Sequence, residues 1–378
     1  MSLWLKLKAR RQLITAFRLA GIYRKITDDR FIYPRIRNLS ITESSTKITF
    51  TLPTGIDPKL LQKHFYVFEQ SFGKAELSGE VKTFTLTVSK QSLPKKLTYN
   101  KEEILPELSG FEIPIVCGKG KEGWQAYDAL TEPNCLISGE PGGGKSTQLR
   151  SILSTLIQTK TPDELHLFLG DLKMSEFFLF RGVKHVKSVC IYPEEIAHTL
   201  RHLEGEMRRR SELLNQYGVT HVNKLPEAVR VPAIMLCIDE FVMIMDDKEM
   251  KRILIQLASL GRALQIYCVF SLQRPSHDIL DTKIRGLLTV RMGFRTTDFQ
   301  NAKIIGTPGS ERISKSTPGR FLIKRDELTE LQAPYLTEEK AEKLLAAYKD
   351  QNWQNHSFIE KAADPIRLTE GDVFEDVN

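Results

Sequence analysis

Residues 139–146 read Gly139-Glu140-Pro141-Gly142-Gly143-Gly144-Lys145-Ser146, GEPGGGKS in one-letter code. The string fits GxxxxGK[ST], and its surroundings are those the pattern needs: the apolar run CLIS precedes it and the helical stretch STQLRSILSTLIQ follows. Glycines at 142, 143 and 144 let backbone N–H groups turn inward around a phosphate chain, and the helix N-terminus adds the positive end of its dipole. Lys145 is then placed for the β- and γ-phosphates and the Ser146 hydroxyl for a magnesium ion. The expectation is ATP with Mg2+ bound along Gly139 to Thr147. What the triphosphate is used for stays open at this point.

A phosphate loop needs carboxylates to hold the metal and activate water. AIMLCIDE, residues 233–240, is an apolar strand ending in two acids. Asp239 at its tip suits the metal, through water, and Glu240 suits the attacking water. The next apolar run, IYCVFSLQ, ends in Gln273, placed to sense the γ-phosphate or to position water from a neighbouring strand. Together these spacings give a RecA-like ATPase with its nucleotide at the carboxyl ends of the strands.

The rest of the body agrees. From about residue 111 to 335, NCLISG, ELHLFLGD, SVCIY, AIMLCIDE, IYCVFSLQ, LTVRMGF and RFLIK are short, nearly continuous apolar runs separated by helical stretches. Strands apolar on both sides belong to a mainly parallel sheet with helices on both faces, an α/β fold. Ahead of it, RIRNLSITE, KITFTLP and KTFTLTVSK alternate apolar and polar residues, and DPKLLQKHFYVFEQSFG has Asp57 at a cap position, Pro58 at the first helical position and Gly73 at the end. That is the pattern of a small α+β domain. The division expected is a basic amphipathic arm over 1–37, the α+β domain over 38–108, the RecA-like motor over 109–338, and a C-terminal helix with an acidic tail over 339–378.

The chain has 378 residues, 41% hydrophobic and 27% charged, ordinary for a globular protein, and no apolar run is long enough to span a bilayer. Its net charge of +7 is uneven: ten Lys or Arg against Asp28 and Asp29 give the first 37 residues +8, so the remaining 341 carry −1. A basic arm on a neutral body points to a polyanion, nucleic acid or anionic lipid. Cys117, Cys135, Cys190, Cys237 and Cys268 show no paired metal-ligand spacing and read as reduced core residues of a cytoplasmic protein, with the arm as a route to the membrane surface.

VPAIMLCIDEFVMIMDD, LASLGRALQIYCVFSLQRPSHDIL and STPGRFLIK, in that order behind the P-loop, resemble the motor domain of the FtsK/SpoIIIE family of DNA translocases. GDLKMSEF resembles that family's Asp-x-Lys segment and LEGEMRRRSELL its Glu-Met-x-x-Arg helix, while Asn134 and Gln300 stand where the family more often has His and Arg. The resemblance implies that Lys145 and Ser146 serve phosphates and metal, Asp239 and Glu240 metal and hydrolysis, and Arg262 the nucleotide of a neighbouring subunit. It also implies a homo-oligomer, a hexameric ring around duplex DNA. By position, Lys173, Arg181, Lys184 and Lys187 after the second strand, and Lys283 and Arg285 after QRPS, are candidates for contacts with DNA phosphates, nearly blind to sequence.

About 43 residues follow the motor, too few for a winged-helix module that reads DNA polarity. The layout leads us to expect a plasmid or integrative-element motor rather than a septum-anchored chromosome pump. Beside this stand two alternatives: a conjugative coupling protein that recruits a relaxase complex to a secretion channel, and a helicase tracking single-stranded DNA.

Overall fold

A computed structural model of the chain describes residues 3–41, 45–73, 75–89, 93–275, 280 and 282–354. The chain forms two compact units, residues 1–94 with 119–123 and the remainder. The acidic tail over 364–378 and Ser276 of QRPS lie outside the described residues.

In the first unit, helix α1 (Leu3–Leu19) leads into a hairpin of β1 (Arg24–Thr27) and β2 (Arg30–Ile32). An antiparallel sheet follows, built from β3 (Arg35–Ile41), β4 (Ser45–Thr51), β5 (Ala75–Glu80) and β6 (Thr83–Ser89) in the order β3-β4-β6-β5. The three alternating runs are β3, β4 and β6. The expected helix is present but broken at His64 into α2 (Lys59–Lys63) and α3 (Phe65–Phe72), with Asp57 accepting from the Lys59 N–H at 2.9 Å and Gly73 closing it at φ 82°.

Residues 1–37 are not a separate arm. Leu13, Ala16, Phe17 and Ala20 recur at i, i+3, i+4 and i+7 and are buried with Ile48, Phe50, Phe68 and Leu86 in one core. Phe17 meets Phe50 edge-on at 4.9 Å. The basic residues Lys6, Lys8, Arg10, Arg11 and Arg18 sit on the exposed side of the same helix. Charge counting saw the outer face of α1 and not its inner one.

The second unit holds a ten-stranded sheet. After β7 (Leu97–Thr98) and α4 (Lys101–Glu107) come β8 (Pro114–Gly120), β9 (Gly123–Asp128) and β10 (Asn134–Ser138), then α5 (Lys145–Thr159), β11 (Leu165–Asp171), β12 (Val186–Cys190) and α6 (Pro193–Tyr217). Next are β13 (Ala233–Asp239), α7 (Lys248–Leu264), β14 (Ile266–Leu272), α8 (Thr282–Leu287), β15 (Val290–Phe294) and α9 (Phe299–Ile305). The last are β16 (Arg320–Lys324), β17 (Leu328–Gln332), β18 (Pro334–Tyr335) and α10 (Glu338–Leu345). The sheet order is β12-β11-β13-β14-β10-β15-β16-β17-β8-β9, with the strands from β12 to β15 parallel and β16 antiparallel to both β15 and β17.

All seven apolar runs are strands of this sheet. Along β13, Met235 and Cys237 pack into the core on one face with α5, and Ile234, Leu236 and Ile238 into the core on the other with α6 and α7. Two-sided burial is why the run has no polar alternation. All five cysteines are free and buried, and burial pushes the Cys135 and Cys268 thiols up to about 12, which makes them inert.

The Glu-Met-x-x-Arg signature is a structural tie. Arg210 on α6 is fully buried; it donates to Glu206 Oε1 one turn back, to the Leu264 carbonyl at the end of α7 and to the Pro232 carbonyl ahead of β13, each at 2.7 Å. Burial works to raise the Glu206 carboxyl, but hydrogen bonds from Arg209 and Arg210 outweigh it and hold it down from 4.5 to about 2. Arg210→Leu leaves Glu206 to Arg209 but strands two carbonyls, so the urea midpoint should fall by the equivalent of about 2–6 kcal/mol. Because the folded-state value is depressed, the Glu206 contribution is present above pH 4.5 and is lost as pH falls from there toward 2. Glu206→Gln should flatten that acid limb.

Candidate active site

The phosphate loop lies between two strand ends. β10 is flanked by β14 and β15, all parallel, so the loop that leaves Ser138 opens above the carboxyl edge at the point where the chain crosses over to β11. Close backbone packing fixes its course. A Cβ on Gly139 would sit 2.6 Å from Phe294 Cβ, and one on Gly144, whose φ is 115°, would sit 2.7 Å from Gly319 Cα. The Gly319 N–H donates to the Gly143 carbonyl at 2.8 Å and the Glu140 N–H to the Arg295 carbonyl at 2.9 Å, while Glu140 and Arg295 also pair at 3.1 Å. The STPGR segment therefore buttresses the loop. Above it is a cleft of about 510 Å³ lined by Pro141, Gly142, Lys145, Ser146, Thr147 and Gln273 among others, within the size range of ligand sites.

Lys145 and Asp239 meet there, Nζ to Oδ1 3.6 Å, with both side chains about 95% buried or more. Asp239 Oδ1 also accepts a hydrogen bond from Ser271 on β14. Glu240 follows the strand end in left-handed backbone, φ 53° and ψ 45°, a conformation uncommon outside glycine. That turn brings Glu240 Oε1 to the Gln273 backbone N–H at 3.2 Å and Oε2 to Lys173 Nζ at 2.7 Å. β13 and β14 thus bring Asp239, Glu240 and Gln273 together with the loop.

Glu176 was missed in the sequence. Asp171, at the end of β11 and in register with Asp239, accepts from the N–H groups of Ser175, Glu176 and Phe177 at 2.8–3.1 Å. Those caps fold the segment back over the loop, where Glu176 stands beside the Ser146 hydroxyl and its carboxylate lies 3.9 Å from Arg150. Burial pushes its carboxyl up, and the neighbouring Asp239 adds to the rise. The quoted GDLKMSEF contained the signal, in a carboxylate five residues past a strand-end aspartate.

The other candidates are spread out. Arg262 is exposed in the last turn of α7, ahead of the amino end of β14. The seven residues of β14 separate it from Gln273, a span of about 20 Å. Lys173 alone of the six proposed DNA contacts reaches the cleft residues. Arg181 stacks on Phe178 at 5.0 Å, Lys184 is exposed, and Lys187 is the second residue of β12, near that strand's amino end. Lys283 and Arg285 are on α8, before the amino end of β15. Asn134 donates to the Ala258 and Leu287 carbonyls and is a packing residue, and Gln300 is exposed. No described helix is long and apolar enough to cross a membrane.

Lys145→Ala should weaken nucleotide binding roughly 10- to 150-fold, the range for losing a charged hydrogen bond, read from titration of a fluorescent ATP analogue.

Residues 112–230 match the FtsK/SpoIIIE family model. The DNA translocase FtsK of Streptomyces coelicolor is 26% identical over 259 residues, 63% of this chain and 28% of that one. The DNA translocase FtsK of Borreliella burgdorferi is 30% identical over 216 residues, 54% of this chain and 27% of that one. This chain therefore spans little more than a quarter of the length of these relatives. Among solved structures, the pCW3 conjugation coupling protein TcpA, in monomer form with ATPγS, superposes with a TM-score of 0.61 at 22% identity, covering 90% of this chain and 100% of that one. The cytoplasmic domain of the type VII secretion ATPase EccC of Thermomonospora curvata gives 0.58 at 22%, over 65% of this chain and 32% of that one. At such identities these two likenesses speak for the fold. The P-loop lies inside the matched stretch, and DEF, GRA and QRP follow in order after it, so residues 112–230 carry an FtsK/SpoIIIE family domain.

Proposed function

We propose that this chain is an ATPase motor that hydrolyses ATP to move along double-stranded DNA, in the service of plasmid or integrative-element DNA. The observation that carries the reading is the convergence of Lys145, Asp239, Glu240 and Gln273 on one cleft above the carboxyl edge. Lys145 binds the β- and γ-phosphate oxygens, and loop N–H groups from Gly142 to Ser146 cradle the chain. Ser146 and Asp239 would hold Mg2+, a hard cation that takes a hydroxyl and one or two carboxylates beside substrate phosphates and its own waters. Bound there, Mg2+ supplies neutralisation of charge building on the transferring phosphoryl group. Glu240 orients the attacking water and accepts its proton, while Gln273 contacts the γ-phosphate end.

Arg262 cannot reach the nucleotide of its own subunit across the length of β14, which suits it to the site of a neighbour in a ring, a hexamer by family resemblance. DNA as the track is supported by the name the two curated relatives carry. Free, buried thiols suit a cytoplasmic setting.

Hydrolysis rates with duplex and with single-stranded DNA, alongside sedimentation, test this reading. Stimulation by duplex and a ring-sized species support it; stimulation by single strands alone favours the helicase alternative. The likeness to TcpA over nearly the whole chain favours a second reading, a coupling protein that docks a relaxase complex at a secretion channel. Exposed Trp4, Leu5 and Leu7 beside Lys6, Lys8, Arg10 and Arg11 would serve that docking at an anionic membrane surface. Removing residues 1–37 would strip Leu13 and Phe17 from a core, so the cleaner test is Trp4→Ser with Leu7→Ser. Lost binding to anionic vesicles with intact turnover supports docking.

A further inference from the structure

The Lys173 to Glu240 contact ties the water-activating carboxylate to a residue outside the phosphate loop. Glu240 has about 9% of its side chain exposed and both its oxygens engaged, Oε1 by the Gln273 N–H and Oε2 by the Lys173 ammonium. A water seeking that carboxylate has to compete with an ammonium at 2.7 Å. Lys173 itself is partly open to solvent, with 32% of its side chain exposed.

Its segment is built to present charge outward. Met174 beside it is held at φ 55° and is exposed, Phe178 is exposed, Arg181 stacks on Phe178, and Lys184 lies on the surface beyond. The one acid in this stretch, Glu176, is turned inward to Ser146. Left-handed non-glycine backbone thus occurs on both sides of the ion pair, at Met174 and at Glu240. Such strain persists only where surroundings hold it and collects at switch segments.

We infer that Lys173 is a positioning residue that couples DNA to hydrolysis. Without DNA its ammonium holds the Glu240 carboxylate; a backbone phosphate drawn to this segment takes the ammonium, and Glu240 is released to orient water. The inference rests on the motor reading above and adds the residue that connects track to chemistry. A phosphate is a competent rival because it offers the ammonium a full charge at a solvated position, where the exchange leaves no unpaired cation.

The test is the ATPase rate of Lys173→Met with and without linear duplex. The DNA-free rate should rise about tenfold, the factor for releasing one charged hydrogen bond, and the stimulation ratio should fall toward one. Lys173→Arg should keep most of the stimulation. Lys173→Ala, which likewise offers the carboxylate no donor, carries the same expectation if the methionine variant misfolds, and binding of ATPγS reports that each variant is folded. Stimulation of Lys173→Met by the wild-type factor overturns the inference, as does a proportional fall of both rates, the signature of a merely structural role. A wild type indifferent to duplex overturns the motor reading itself and is seen before any variant is compared.

Discussion

Glu240→Gln should bind nucleotide with nearly wild-type affinity and hydrolyse it about 10²- to 10⁴-fold more slowly, the usual contribution of a positioned base. The amide is isosteric, so the left-handed turn at 240 and the hydrogen bond from the Gln273 N–H are retained. What is lost is the charge that draws a proton from water, equivalent to about 3–5 kcal/mol of transition-state stabilisation. The phosphate contacts proposed for Lys145 do not pass through Glu240, so binding and turnover should separate. Phosphate release under saturating ATP, set beside ATPγS titration, checks both halves. A loss confined to affinity would mean that Glu240 is a binding residue.

Arg262→Ala should lower the rate about 10³- to 10⁵-fold if its guanidinium reaches the phosphoryl group of a neighbouring subunit. Geometry makes the trans assignment testable, because Arg262 and Lys145 lie at opposite edges of the same sheet. Each of Arg262→Ala and Lys145→Ala should be nearly inactive alone. Mixed, they assemble some interfaces with an intact loop on one side and an intact arginine on the other, so activity should reappear and peak near equal amounts. Arg262 is exposed, and its removal alone leaves the fold intact, so an inactive but folded variant is the expected state. Activity that stays at wild-type level in Arg262→Ala would make the residue a surface cation.

How far the sequence could be read follows from how each part is held. The seven core strands were legible because burial on both faces forces unbroken apolar runs, as in Ala233–Asp239. β5, with the sequence AELSGE, carried no such pattern because it is an edge strand exposed over most of its length. α1 showed its charge but hid its core face until Leu13 and Phe17 were seen among the first unit's buried residues. At the cleft, Lys145, Asp239 and Glu240 were legible because the phosphate and metal chemistry proposed for them fixes both residue type and spacing.

Glu176 and the Lys173 contact did not, since both depend on how three N–H groups cap Asp171 in a segment with no periodicity. Arg210 belongs to a family signature yet touches only structural carbonyls and Glu206, so a motif residue need not be a site residue. Position along the chain alone did not separate the basic residues, for Lys173 and Lys187 are only fourteen apart, yet one follows the carboxyl end of β11 and the other lies near the amino end of the neighbouring β12.

Motion along duplex DNA driven by this site is read out by displacement of a labelled third strand from a DNA triplex. The wild type should release the third strand only with ATP, and Glu240→Gln should bind the same substrate without releasing it. Duplex-stimulated ATP hydrolysis that never displaces the strand would mean that the site does not drive movement along DNA.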